Sequence, residues 1–92
     1  MLAKKQSQGI WEIDVHNLQS HEALKKVLDK IEDAYFENVI ELRVIHGFNR
    51  GTAIKNLILE SEEIRNNEYV QRVSKSFDNS GITIITLKFH ED

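Results

Sequence analysis

The chain has no cysteine and no proline in its 92 residues. Without cysteine there is no disulfide scaffold, no thiolate metal site and no thiol nucleophile. Without proline, collagen-like, mucin-like and polyproline-recognition sequences drop out. No run approaches the ~18 apolar residues that span a bilayer. The opening Met1-Leu2-Ala3-Lys4-Lys5-Gln6-Ser7-Gln8 has neither the apolar stretch nor the cleavage pattern of a signal peptide. A surplus of positive charge is missing too. Twelve Lys and Arg stand against 15 Asp and Glu, a net charge of −3, which excludes a protein held on nucleic acid or membrane by bulk charge alone. These absences set the expectation of a cytoplasmic protein with no membrane partner. What is present is ordinary for one globular domain with a single core: 40% hydrophobic and 29% charged residues.

Residues 1–9 read as a flexible N-terminal segment and 10–90 as the domain. Ile10 to His16 alternates, with Trp11, Ile13 and Val15 on one face and Glu12, Asp14 and His16 on the other. Period two means a half-buried strand. Leu24, Val27, Leu28, Ile31, Ala34 and Tyr35 then recur at spacings of three and four, an amphipathic helix over about 20–36. Gln19 or Ser20 precedes it, and Ser20 is the better cap by chemistry. The charges on its outer face, Lys25, Lys26 and Asp29 among them, read as solvated. Val39–Ile45 is a second strand with Ile40, Leu42 and Val44 toward the core. Thr52 can cap a second helix whose stripe is Ile54, Leu57 and Ile58, extended by Ser61 and Ile64. Val70–Phe77 alternates in part, with Val73, Lys75 and Phe77 sharing a face. Asp78-Asn79-Ser80-Gly81 is a turn, and Ile82–Phe89 is apolar on both faces, as a central strand is.

The order is therefore β-α-β-α-β-β. Strand–helix–strand crossovers are right-handed and make parallel neighbours, and the closing hairpin makes the sheet mixed. The expected architecture is α/β, a two-layer α+β sandwich with a mixed four-stranded sheet. Its other face is only partly covered, which agrees with Glu12, Asp14, Glu41 and Arg43 lying there.

In such sheets, sites form beyond the carboxyl ends of parallel strands. That rule selects Asp14-Val15-His16 and Ile45-His46-Gly47. Asp14 and His16 are two apart on a strand and point the same way. An aspartate there can accept from the imidazole, fix its tautomer and raise its basicity. A polar strand face without a role is the plain alternative. The loop from His46 to Thr52 holds Gly47 and Gly51 and opens onto a helix N-terminus, where free N–H groups favour an anion. Arg50 adds a fork donor suited to phosphate, and Lys55 lies in the first turn. From Leu42 to Leu59 there is no acid, while Arg43, Arg50 and Lys55 give a local +3. A strand–helix turn that needs glycine for geometry explains the glycines but not the missing acids. His21 and His90 read as solvated and Trp11 as core. Phe48 either plugs the core edge or stacks on a base.

Taken together, Ile13-Asp14-Val15-His16-Asn17-Leu18, Glu22-Ala23-Leu24, Val44-Ile45-His46-Gly47, Gly51-Thr52-Ala53-Ile54-Lys55 and Gly81 to Leu87 resemble the Smr (small MutS-related) domain over about residues 10–89. The resemblance implies a fold similar to the C-terminal domain of translation initiation factor three, with strand order 1-2-4-3. It also implies binding of DNA or RNA and, in several members, endonuclease activity, including cutting of messenger RNA on stalled ribosomes. The family motif Leu-Asp-x-His-Gly is matched by Ile13-Asp14-Val15-His16-Asn17, and His-Gly-x-Gly by His46-Gly47-Phe48-Asn49-Arg50-Gly51. Asn17 replaces a glycine, and the loop carries Phe48-Asn49-Arg50 where the commoner pattern is shorter. The chain looks like a stand-alone Smr protein, and a monomer is the expectation.

Asp14, His16 and His46 are the candidate catalytic residues. Gly47, Asn49, Arg50, Gly51, Thr52 and Lys55 are the candidates for holding phosphate. Hydrolysis by two metals wants several convergent carboxylates or histidines, and the strand ends offer only Asp14, with Glu12 one pleat back. Acid–base cleavage without a metal ligand set fits better, with a divalent ion (Mg²⁺ or Mn²⁺) as the alternative cofactor. In that scheme His16 deprotonates a nucleophile, and His46 either protonates the leaving oxygen or only shapes the loop. The rival reading is a non-catalytic module that binds nucleic acid or docks on an assembly such as the ribosome. A protein–protein adaptor is the third.

Overall fold

The structure, a computed structural model, describes residues 9–47 and 51–89, with the side chains of residues 51 and 52 outside the description. The elements are β1 (Ile10–Asp14), α1 (Ser20–Phe36), β2 (Glu41–Ile45), α2 (Gly51–Glu60), α3 (Glu62–Arg65), β3 (Val70–Lys75) and β4 (Ile82–Leu87). Among the described residues no helix is long and apolar enough to cross a membrane. Residues 1–8, all but the last of the expected 1–9 segment, and residues 90–92 lie outside those described; the Gly9 carbonyl accepts from the Ile40 and Glu41 N–H groups.

Helix α1 spans the residues that its three-and-four spacing predicts. Its cap differs: Gln19, not Ser20, takes the capping position. The Glu22 carboxylate reaches back and accepts from the Gln19 N–H at 3.2 Å, so the acid at the third helical position helps to fix the start. At the other end Asn38 adopts φ 64°. The Asn38 N–H donates to the Tyr35 carbonyl and the Val39 N–H to the Ala34 carbonyl, a Schellman ending with asparagine where glycine is usual. The second helical stripe is broken at Ser61. Its backbone turns extended, and its Oγ accepts from the Ile64 N–H at 3.4 Å to start the four-residue α3. Ile64 stays fully buried, so the stripe continues through the break.

The sheet runs β1-β2-β4-β3. Strands β1 and β2 are parallel, with Asp14 opposite Ile45, and β4 is antiparallel to both its neighbours. Both crossovers step the same way across the sheet, which puts both helices on one face, and α1 packs on α2. Ile13, Val15, Val27, Ile31, Leu42, Ile58 and Ile85 build the core between the layers, each such side chain contributing roughly 1.5–3 kcal/mol. Central β4 has Thr83, Ile85 and Leu87 buried, with Ile82, Ile84 and Thr86 half-buried on the open face. Two apolar expectations need correction. Ile40 is exposed while Val39 is buried, because β2 begins at Glu41, two residues after the expected start, and its alternation does not extend back through Ile40. Phe77 lies past the end of β3 and is wholly exposed.

Candidate functional site

Strand β1 alternates across the sheet, so Ile13 and Val15 enter the core while Asp14 and His16 stay in solvent. The Val15 N–H donates to the Ile45 carbonyl at 2.9 Å, and the Leu18 N–H closes a turn on the Val15 carbonyl at 3.1 Å. Within that turn one carboxylate oxygen of Asp14 accepts from the His16 backbone N–H at 3.0 Å and pairs with His16 Nδ1. The hydrogen bond from the His16 side chain, then that from its backbone, holds the Asp14 carboxyl below the usual range. With Nδ1–H donating to Asp14, His16 presents Nε2 outward. That nitrogen has no hydrogen-bond partner among the described residues, and the side chain is 49% exposed. Asn17 does not need the left-handed backbone that a glycine would supply, since Asn38 alone among the described non-glycine residues has positive φ.

The second strand end lies alongside. Gly47 takes φ +84°, and a Cβ built on it would sit 3.4 Å from the His16 Cβ. The dyad and the His-Gly loop are therefore in contact. Gly81, from the β3–β4 turn, closes the other side: its carbonyl accepts from the His46 N–H at 2.9 Å and the Gly47 N–H at 3.1 Å. A Cβ on Gly81 would come within 3.3 Å of the Gly47 carbonyl carbon, so three chain segments meet closely and a side chain at Gly81 would need its neighbours to shift by a few tenths of an ångström.

His46 has a different environment from His16. It is 1% exposed, beside a fully buried Thr83. Its Nδ1 lies 3.1 Å from the Gly47 carbonyl and its Nε2 2.9 Å from Thr83 Oγ1. A carbonyl only accepts, so Nδ1 carries the proton. Burial is the main cause that pulls the imidazole pKa below its ordinary value, and the Lys55 charge adds to it. The ring is then neutral, and Nε2 accepts from the Thr83 hydroxyl. Both ring nitrogens are engaged.

The charges are only partly those that the sequence suggested. Lys55 is half-buried on α2, close enough for its field to reach His46, and the first turn of α2 holds no acid. Arg43 does not serve the site: its Nε donates to Glu41 at 2.8 Å on the open sheet face, so the local +3 counted along the sequence is smaller in space. Asn49 and Arg50 lie outside the described residues, as does Phe48, and so does the side chain of Thr52; Gly51 begins α2. One cation was not anticipated. Lys26, on the outer face of α1, donates from Nζ to the Asp14 carbonyl at 3.2 Å and brings an ammonium to the edge of the dyad. Among the described residues no three His, Asp or Glu side chains gather as a metal ion would require.

The arrangement is an exposed imidazole hydrogen-bonded through Nδ1 to a carboxylate, with Gly47 against it, Lys26 at the Asp14 carbonyl and the Lys55 charge near His46, a combination suited to a phosphodiester. Residues 13–88 match the family described as the Smr domain. Among solved structures, the crystal structure of the Smr domain of Thermus thermophilus MutS2 is similar, with a TM-score of 0.73 and 28% identity over 84% of this chain and 96% of that one. No curated protein matches the chain.

Proposed function

This chain belongs to the Smr domain family, a nucleic-acid-binding and nuclease-related family, and from that premise we propose that it is an endonuclease that cuts phosphodiesters with His16 as general base. The observation that carries the reading is the exposed His16 with its Nδ1 fixed by Asp14, against the backbone of Gly47. Asp14 sets the tautomer and stabilises the imidazolium that forms. On RNA, His16 Nε2 takes the 2′-OH proton as the 2′ oxygen attacks the adjacent phosphorus. The bond to the 5′ oxygen breaks and that oxygen takes a proton from solvent water, leaving a 2′,3′-cyclic phosphate and a 5′ hydroxyl; the proton held on His16 Nε2 then returns to water. Lys55, Lys26 and the first-turn N–H groups of α2 stabilise the charge that develops on the phosphoryl oxygens, and Asn49, Arg50, Gly51 and Thr52 complete the phosphate cradle. His46 has no free ring nitrogen to give the leaving oxygen a proton. Its role in this reading is to anchor the loop, not to act as the acid.

The test is to incubate the protein with end-labelled RNA and DNA, with and without EDTA, and to map the ends. RNA should be cut in EDTA, leaving cyclic phosphate. Asp14→Ala and His16→Ala should each slow cutting by roughly 10²–10⁴-fold while leaving affinity nearly unchanged. Activity that disappears with chelator and returns with Mg²⁺ would replace the acid–base route with a metal route. Binding with no cutting by the wild type would leave the non-catalytic module.

A further inference from the structure

We propose that Phe77 is the platform of a subsite for an unpaired nucleobase at the rim of the Asp14–His16 site; the inference rests on the nucleic-acid reading above and narrows it to substrates with single-stranded character. Five large hydrophobic side chains are exposed among the described residues. Four of them, Ile10, Phe36, Ile40 and Phe89, belong to the far end of the sheet, where β1 and β2 begin and β4 ends. Phe77 is at the site end, and among the described residues no other side chain covers its ring: its relative exposure is 104%.

The register shows how it is placed. Asp14 lies opposite Ile45 and Ile45 opposite Ile82, and the Ser76 N–H donates to the Ile82 carbonyl at 3.4 Å. One row across the sheet thus leads from the dyad to the residue before Phe77, three strand spacings or ~14 Å away. The segment that carries Phe77 is also braced. Ser76 Oγ accepts from the Asn79 N–H at 3.3 Å, and Asn79 Oδ1 accepts from the Gly81 N–H at 2.9 Å. Gly81 in turn holds the His46–Gly47 backbone. The ring is presented from a turn tied to the phosphate loop.

The neighbours of Phe77 in the chain are Lys75, Ser76, Asp78, Asn79 and Ser80. They form no apolar patch of the kind a protein partner buries. A single bare ring with an exposed lysine two residues away suits a base and its phosphate. Every base has a face that can stack, but in a duplex those faces are already used, so an isolated platform selects the unpaired strand.

Oligomers of about 12 nucleotides, within the span a small domain covers, distinguish the cases. The probes are 2′-O-methyl RNA and DNA carrying 2-aminopurine, each single-stranded and paired. With wild-type protein the single strands should bind and the fluorophore should be quenched. Phe77→Ala should weaken single-strand binding about 5- to 100-fold, abolish the quenching, and leave duplex affinity and thermal unfolding unchanged, while Phe77→Trp should retain both signals. If Phe77→Ala binds single strands as tightly as wild type, or loses duplex equally, the stacking subsite is wrong and the nucleic-acid reading stands. If wild type binds neither form, both fall.

Discussion

Replacing Thr83 by valine removes one hydroxyl and little volume, and it tests the account of His46 directly. Thr83 is fully buried and His46 is 1% exposed, so no water is placed to take over the 2.9 Å contact with Nε2. The valine chain leaves a buried ring nitrogen without a donor, which costs about 1–3 kcal/mol. For a domain of this size each kcal/mol lowers Tm by roughly 4–8 °C, so a fall of about 5–20 °C is expected. Urea unfolding followed by circular dichroism should show a lower midpoint at an unchanged m-value. Adding His46→Leu should recover part of the loss, with a coupling of about 1 kcal/mol or more in the double-mutant cycle. The pH dependence has a definite sign. Burial holds the folded-state pKa of His46 below its ordinary 6.5, so between those two values the unfolded chain binds more protons. Stability is then complete above pH 6.5 and is lost as the pH falls below it, until the folded-state value is passed. His46→Leu should remove that slope. The lowered Asp14 carboxyl, whose ordinary value is 3.8, loses its contribution only at still lower pH. A Thr83→Val chain within about 2 °C of wild type, or an acid slope that survives His46→Leu, would refute the buried neutral imidazole.

Two further outcomes concern the rim of the site. Gly81→Ala places a Cβ 3.2 Å from Asn79 Oδ1 and 3.3 Å from backbone of Gly47. The protein should lose roughly 1–3 kcal/mol and cut more slowly even where it is fully folded; unchanged cutting by the destabilised protein would show that the hairpin turn does not position the loop. Lys26→Ala should leave unfolding untouched, weaken nucleic-acid binding, and reduce the slope of log affinity against log salt by roughly 0.7–0.9. An unchanged slope would remove Lys26 from the phosphate path.

The parts of the fold that rest on one repeating interval were legible in the sequence. Alternation from Trp11 to His16 and the spacing of Val27, Ile31 and Ala34 give β1 and α1, and the two apolar faces of Ile82–Leu87 give the centre of the sheet. The strand-end rule located Asp14, His16 and Gly47, and the parallel register brings them together. Periodicity misleads where a local hydrogen bond competes with it. Ser61 looks like one more position in a stripe that runs to Ile64, yet its hydroxyl caps a new turn. It also overruns at the start of β2, where Val39 is buried and Ile40 exposed although alternation back from Leu42 predicts the reverse. The Arg43–Glu41 pair was within reach, since residues two apart on a strand share a face, but a count of charges along the chain overlooks it. Lys26 and Thr83 could not be found that way. Lys26 is one charge among many on a solvated helix face, and its reach to Asp14 depends on how α1 lies on the sheet. Thr83 is 37 residues from its partner, and nothing short of the folded β2–β4 register brings them side by side.

Chemistry and core are written in alternate letters of β1: Ile13 and Val15 inward, Asp14 and His16 outward. A slip of one residue against β2 would exchange the two sets, burying a carboxylate and an imidazole and stripping the interior of two of its aliphatic groups. Misaligned forms of the strand are thereby heavily penalised. The same pleat that keeps the dyad in water proofreads its own alignment, and a correctly packed molecule is also one with its base facing out.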